Sequence, residues 1–150
     1  MSYSKASALN TYNQVAVQSN ATYASPHRLI QMLLEGALEK IAIAKGHMIR
    51  AQIASKGQHV GWAISIISGL RASLDMATGG EIAQNLDALY DYMERRLLHA
   101  NLENDTSALD EVTGLLREVK SAWDTIPEHA QRAHAQIKSA AVSERAVAGR

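Results

Sequence analysis

The sequence predicts an all-α protein, an antiparallel four-helix bundle, on three observations. Apolar residues recur at alternating spacings of three and four through four stretches of about 20 residues. Proline occurs only twice, at Pro26 and Pro127, on either side of the patterned region. Val, Ile and Thr nowhere alternate with polar residues as a half-buried strand would require. Four helices of about 20 residues, each about 30 Å long and joined by short loops, close into such a bundle. It is expected over residues 25–127, with an N-terminal cap segment at 1–24 and a flexible or part-helical tail at 128–150.

Composition bounds the function classes. A chain of 150 residues is long enough for one domain with a real core. An apolar share of 47% excludes a disordered chain, and the lack of any apolar run of about 18 residues excludes a membrane-spanning helix. No basic-then-apolar leader opens the sequence, so no signal peptide is expected. Without cysteine there is no disulfide or thiol chemistry, which fits a cytoplasmic protein. Lys+Arg and Asp+Glu stand at 15 each. Nucleic-acid binders carry a basic excess, so none is expected here, and a partner should be met through apolar surface.

Taken in order, residues 1–24 are rich in Ser, Asn, Ala and Thr and too weakly amphipathic to hold a helix alone. They read as a frayed terminus or as a cap, in which Tyr12 and Val15, three apart on one side of a helical turn, cover an apolar groove. Ser25-Pro26 starts the first helix: Ser25 accepts an orphan N–H, and Pro26 lacks one where none is needed. This helix should run from 26 to about 54 on a core stripe of Ile30, Leu34, Ala37, Ile41, Ala44 and Met48. Met32, Gly36 and Ile43 fall roughly opposite and read either as an ordinary packing contact within the bundle or as a shallow second groove.

Ser55-Lys56-Gly57-Gln58 is expected to be the first turn. The second helix then spans about 58–77 on Val60, Ala63, Ile67, Leu70, Leu74 and Ala77, widened by Ile64 and Ile66. Trp62 lies beside that stripe and is placed half-buried near a helix end. Thr78-Gly79-Gly80 should end the helix. The third helix, 81 to about 103, carries Ile82, Leu86, Leu89, Met93, Leu97 and Ala100 on one face. Leu98 and Leu102 lie about 180° and 220° away from Leu89, and Tyr92 sits on a flank. Asn104-Asp105-Thr106-Ser107 offers several N-caps for a fourth helix on Leu109, Val112, Leu116, Val119, Trp123 and Ile126, which Pro127 stops.

Nothing in the chain asks for catalysis, metal or cofactor. Di-iron bundles need Glu-x-x-His, and no Glu here is followed by His at that spacing. The six histidines are spread along the chain, and no P-loop or G-x-S-x-G occurs. Asp87 and Asp91, with Arg95 one turn on, read as a solvated ion-pair ladder.

Several longer runs resemble the FliS family of flagellar export chaperones. They are Ser-Pro-His-x-Leu-Ile-x-Met-Leu-x-x-Gly at 25–36 and Gly-Gly-Glu-Ile-Ala-x-Asn-Leu-x-x-Leu-Tyr-Asp-Tyr-Met-x-Arg-Arg-Leu-Leu-x-Ala-Asn-Leu at 79–102. Asn104-Asp105, Glu-Val-x-Gly-Leu-Leu at 111–116 and Ala122-Trp123 extend the likeness, which covers roughly residues 9–127. The resemblance implies a cytoplasmic, ATP-independent chaperone whose bundle is wrapped by the C-terminal segment of flagellin. Binding would stop premature polymerisation and keep the subunit ready for the type III export gate. Some family members also bind an anti-sigma factor.

By motif, the resemblance implies flagellin contacts at Tyr12, Tyr90, Tyr92, Met93, Arg96, Leu97, Ala100 and Asn101. Periodicity alone favours the core for Met93, Leu97 and Ala100, which leaves Tyr92 and Arg96 as the better contacts. Outward Met32, Gly36, Ile43, Leu98 and Leu102 supply the expected grooves, with Tyr12 and Val15 as plugs in the free protein. The alternative is a self-associating bundle without a flagellin client, so the oligomeric expectation is a monomer or a weak homodimer.

Overall fold

Four helices make up the computed structural model, which describes residues 25–126, and no strand occurs among them. They are α1 (Pro26–Ile49), α2 (Ile53–Ala72), α3 (Gly80–Glu103) and α4 (Thr106–Asp124). The chain is thus an all-α helical bundle. The expected cap with Tyr12 and Val15, the stop at Pro127 and the tail at 128–150 lie outside the described residues.

α1 begins as expected. Ser25 is extended, its hydroxyl accepts the Arg28 N–H at 3.1 Å, and Pro26 holds the first helical position. Its end is earlier than the sequence suggests, at Ile49 rather than about 54. Ala51 turns left-handed (φ 58°), its N–H reaches the Met48 carbonyl at 3.2 Å, and the Gln52 N–H reaches the His47 carbonyl at 2.8 Å. That pair of bonds is a Schellman closure with alanine where glycine is usual. The true turn is therefore 50–52, and Ser55–Gln58 lies inside α2.

α2 stops at Ala72, where the Ser73 hydroxyl donates to the Leu70 carbonyl at 2.7 Å. Thr78-Gly79-Gly80 does not end α2 but opens α3. The Asp75 carboxylate accepts the Thr78 N–H at 3.1 Å, and the Asp75 carbonyl accepts the Gly79 N–H at 2.7 Å. A Cβ on Gly79 would lie 2.5 Å from both the Asp75 carbonyl oxygen and the Ala83 side chain. Gly80 is left-handed at φ 56°. Both glycines serve a tight entry into α3. Ala77, expected on the core stripe, is an exposed loop residue as a result. Trp62 sits in the middle of α2, not near its end.

The core of α3 follows Ala83, Tyr90, Met93, Leu97 and Ala100, with Leu86 and Leu89 half-buried against it. Ile82, assigned to this stripe from its spacing, is 74% exposed. Ala83 takes the buried position next to it, and Ile82, about 100° further round the helix, faces water. α1 contributes Leu33, Leu34, Ala37, Ile41, Ala44 and Met48; α2 contributes Val60, Ala63, Ile66, Ile67 and Leu70. α4 adds Ala108, Leu109, Val112 and Leu116, with Val119 and Trp123 half-buried. α1 packs on α2 and α4, and α3 packs on α2 and α4, as an up-and-down bundle requires.

Each end of the bundle is tied by polar bonds across it. At the start of α1 the Trp123 indole donates to the His27 carbonyl at 2.9 Å, and the two rings stack at 5.0 Å. At the other end, buried Lys56 donates from Nζ to the Asn101 carbonyl at 2.9 Å and to Asn104 Oδ1 at 2.6 Å. Lys56 thereby satisfies an orphan carbonyl of the last turn of α3. Asn104 closes that helix left-handed (φ 49°), and Asp105 caps α4 through the Ser107 and Ala108 N–H groups.

Candidate interaction surface

α3 has a second face. Leu98 is 52% exposed and Leu102 is 69% exposed, while Leu97 beside them is fully buried. Two further isoleucines, Ile49 and Ile53, stand exposed on either side of the α1–α2 turn. That turn and the α3–α4 turn share one end of the bundle, since Lys56 at the start of α2 reaches Asn101 and Asn104 at the end of α3. The spacing had pointed to Leu98 and Leu102. It missed Ile49 and Ile53 because the first helix was drawn too long and the turn was sought at Gly57.

Tyr92 and Arg96 lie on the flank of α3 toward α4. The Tyr92 hydroxyl donates to Glu111 Oε1 at 3.0 Å, and Arg96 Nε donates to the same oxygen at 2.8 Å. The Arg96 guanidinium, then the Tyr92 hydroxyl, hold the Glu111 carboxyl below its ordinary range, and Glu111 in turn raises the Tyr92 phenol. Glu111 opens the 111–116 run, but its pairing was not legible in the sequence, because its partners are 15 and 19 residues away.

The other motif-derived residues divide by burial. Tyr90, Met93, Leu97 and Ala100 are buried in the core, so in this structure none of them meets solvent. Asn101 is half-buried, and its Oδ1 has no hydrogen-bond partner among the described residues; it faces Gly57 across the α2–α3 seam. Met32, Gly36 and Ile43 are each half-buried on α1 rather than open. A Cβ on Gly36 would sit 3.6 Å from Ile66, so the dip there is a close approach of α1 to α2.

The charged groups build structure rather than chemistry. Arg71 of α2 bonds Asp87 at 2.7 Å and reaches Asp91 at 3.1 Å and Glu94 at 3.5 Å, while Arg95 joins Asp91 along α3. The Asp91–Arg95 rung of the expected ladder is present, Arg71 extends it into a bridge between two helices, and Asp87 raises the Arg71 pKa. The histidines are also less scattered than they look. His47 and His59 approach at 5.1 Å, and the His59 ring meets Trp62 edge-on at 5.0 Å, with Lys40 Nζ 4.7 Å from that indole. Among the described residues no three His, Asp or Glu converge as a metal site would need, and no helix is long and apolar enough to cross a membrane.

Comparison with known proteins adds the family. Residues 8–130 match the family described as flagellar protein FliS. The chain is 56% identical over 119 residues to the flagellar secretion chaperone FliSB of Pseudomonas aeruginosa, covering 79% of this chain and 94% of that protein. It is 48% identical over 122 residues to the flagellar secretion chaperone FliS of Salmonella typhimurium, covering 81% and 90%. The corresponding protein of Vibrio cholerae is 46% identical over 119 residues, covering 79% and 88%.

Proposed function

The chain belongs to the flagellar protein FliS family, and from that premise we propose that it is a cytoplasmic flagellar export chaperone whose client is the C-terminal segment of flagellin. Its named relatives are secretion chaperones, not enzymes. On this reading it shields the segment that drives filament assembly until the subunit reaches the export apparatus.

One observation carries the reading. The core is complete without Ile49, Ile53, Leu98 and Leu102, yet these large apolar side chains stand exposed at one end and along one helix. An extended segment that folds on binding loses roughly 2–5 kcal/mol to ordering and needs apolar surface to offset it. Covering four such side chains is worth roughly 4–8 kcal/mol gross, given about 1.5–3 kcal/mol for each fully buried one and their partial exposure here. Tyr92 and Arg96, oriented by Glu111, add polar groups on the flank of α3 that faces α4.

Isothermal titration with a peptide from the C-terminus of the host's flagellin tests this, with an N-terminal flagellin peptide as control. One-to-one binding of the C-terminal peptide alone, with a negative heat-capacity change, is expected. Binding of neither peptide rejects the client, and a concentration-dependent mass would then assign the apolar face to a homodimer.

A further inference from the structure

The proposed client surface leaves one part of the molecule unexplained. At the end of the bundle where α2 passes into α3, two large apolar side chains stand exposed, Met76 at 47% and Ile82 at 74%. The stretch from residue 72 to 94 holds Asp75, Glu81, Asp87, Asp91 and Glu94 and not one Lys or Arg. Arg71 pairs with Asp87, Asp91 and Glu94 and Arg95 with Asp91, so two cations meet the five carboxylates of this stretch and its net charge is negative. The chain leaves α4 at the same end, because Trp123 and Asp124 bond His27 and Gln31 at the start of α1.

Charge along the chain is divided in a matching way. Although Lys+Arg and Asp+Glu balance overall, residues 25–126 hold 10 of the former against 13 of the latter. Residues 131–150 hold Arg132, Lys138, Arg145 and Arg150 against Glu144 alone. They also carry Ile137, Val142 and Val147 in an otherwise small and polar sequence. The family match ends at residue 130, so this segment is outside what the family shares.

We propose that residues 131–150 dock intramolecularly across the α2–α3 end of their own bundle. Ile137 and Val142 cover Met76 and Ile82, and Arg132 and Lys138 face the carboxylates of the 72–94 stretch. Opposite charge steers and orients such a contact, and the apolar pairs hold it. Tethering favours it further, since the segment meets its site at the high effective concentration of a short linker. The inference does not rest on flagellin binding.

The lack of cysteine makes a clean test possible in the full chain. An Ala77→Cys, Ser139→Cys pair probes the proposed site without removing Met76 or Ile82, and a Leu102→Cys, Ser139→Cys pair probes the opposite end; both bundle positions are exposed, so folding is preserved. Ser139 lies about 13 residues beyond Ile126, an extended reach of about 45 Å against about 36 Å for the length of α3, so either end is accessible to a free segment. The near pair is expected to form an intramolecular disulfide at least 10-fold faster than the far pair. Arg132→Glu with Lys138→Glu, or 0.5 M salt, is expected to slow the near pair at least fivefold. A tethered but undocked segment would also prefer the near end, but its rate would ignore both changes, and that result overturns the proposal. Disulfides formed mainly between molecules overturn it as well, and assign the surface to a second copy.

Discussion

Leu97 and Leu98 are adjacent, identical in type and opposite in circumstance. Leu97 is enclosed by the bundle together with Tyr90, Met93 and Ala100, whereas Leu98 and Leu102 stand largely in water on the other side of α3. A turn of about 100° along the helix separates the two leucines. The inner face is specified by the rest of this chain. Nothing among the described residues covers the outer one, and the proposed client would. α4 shows the simpler case: its buried Leu109, Val112 and Leu116 are accompanied by no large exposed aliphatic.

The contrast is sharpest under truncation. Leu97→Ala should leave a cavity and cost about 2–5 kcal/mol, read as a lower urea midpoint at unchanged m-value. Leu98→Ser and Leu102→Ser should each change stability by no more than about 0.5 kcal/mol, while together weakening the flagellin C-terminal peptide at least tenfold. If the outer variants melted as early as Leu97→Ala, the two faces would not be different in kind. Tyr90 gives the next largest effect. Burial pushes its phenol up to about 12 from an ordinary value near 10. The folded pKa is the higher, so the contribution is complete below pH 10 and is lost as pH rises toward 12. About two pKa units correspond to roughly 2–3 kcal/mol. Tyr90→Phe should match the parent near pH 7 and resist alkaline unfolding better, as pH-dependent melting would show.

The sequence made the stripes legible and the corners only in part. Three-and-four spacing located the cores of α1, α2 and α4, because a helix that packs on one side must repeat that way. Ser25-Pro26 and Asn104-Asp105 were legible too, since these residue types offer their own capping chemistry or tolerate a left-handed backbone. The corner at 50–52 was not. Its left-handed residue is Ala51, held by backbone bonds from Ala51 and Gln52, so no glycine marked it and Gly57 drew the turn inward. The same limit applies to the candidate surface. Leu98 and Leu102 could be read because they break a local period. Lys56, Glu111 and Arg71 could not, because each acts on a residue at least 15 positions away.

The flank between the two faces of α3 offers the gentlest test. Glu111 is the single acceptor shared by Tyr92 and Arg96. With its folded pKa depressed by those two donors, Glu111 stabilises the fold above the ordinary carboxylate range and loses that contribution as pH falls through its folded value. Glu111→Gln should therefore narrow the gap in melting temperature between neutral and acidic pH. Exposed pairs of this kind contribute little, so the shift at pH 7 should be small and should disappear at low pH. The informative readout is the client. If the clasp serves only to join α3 to α4, Glu111→Gln leaves flagellin-peptide affinity untouched. If it holds the Tyr92 ring and the Arg96 guanidinium in place for the client on the α4 side of α3, affinity at pH 7 falls several-fold, and the parent protein shows the same loss when Glu111 is protonated. That outcome would extend the outer face of α3 from a pair of leucines to a surface with an ordered polar edge.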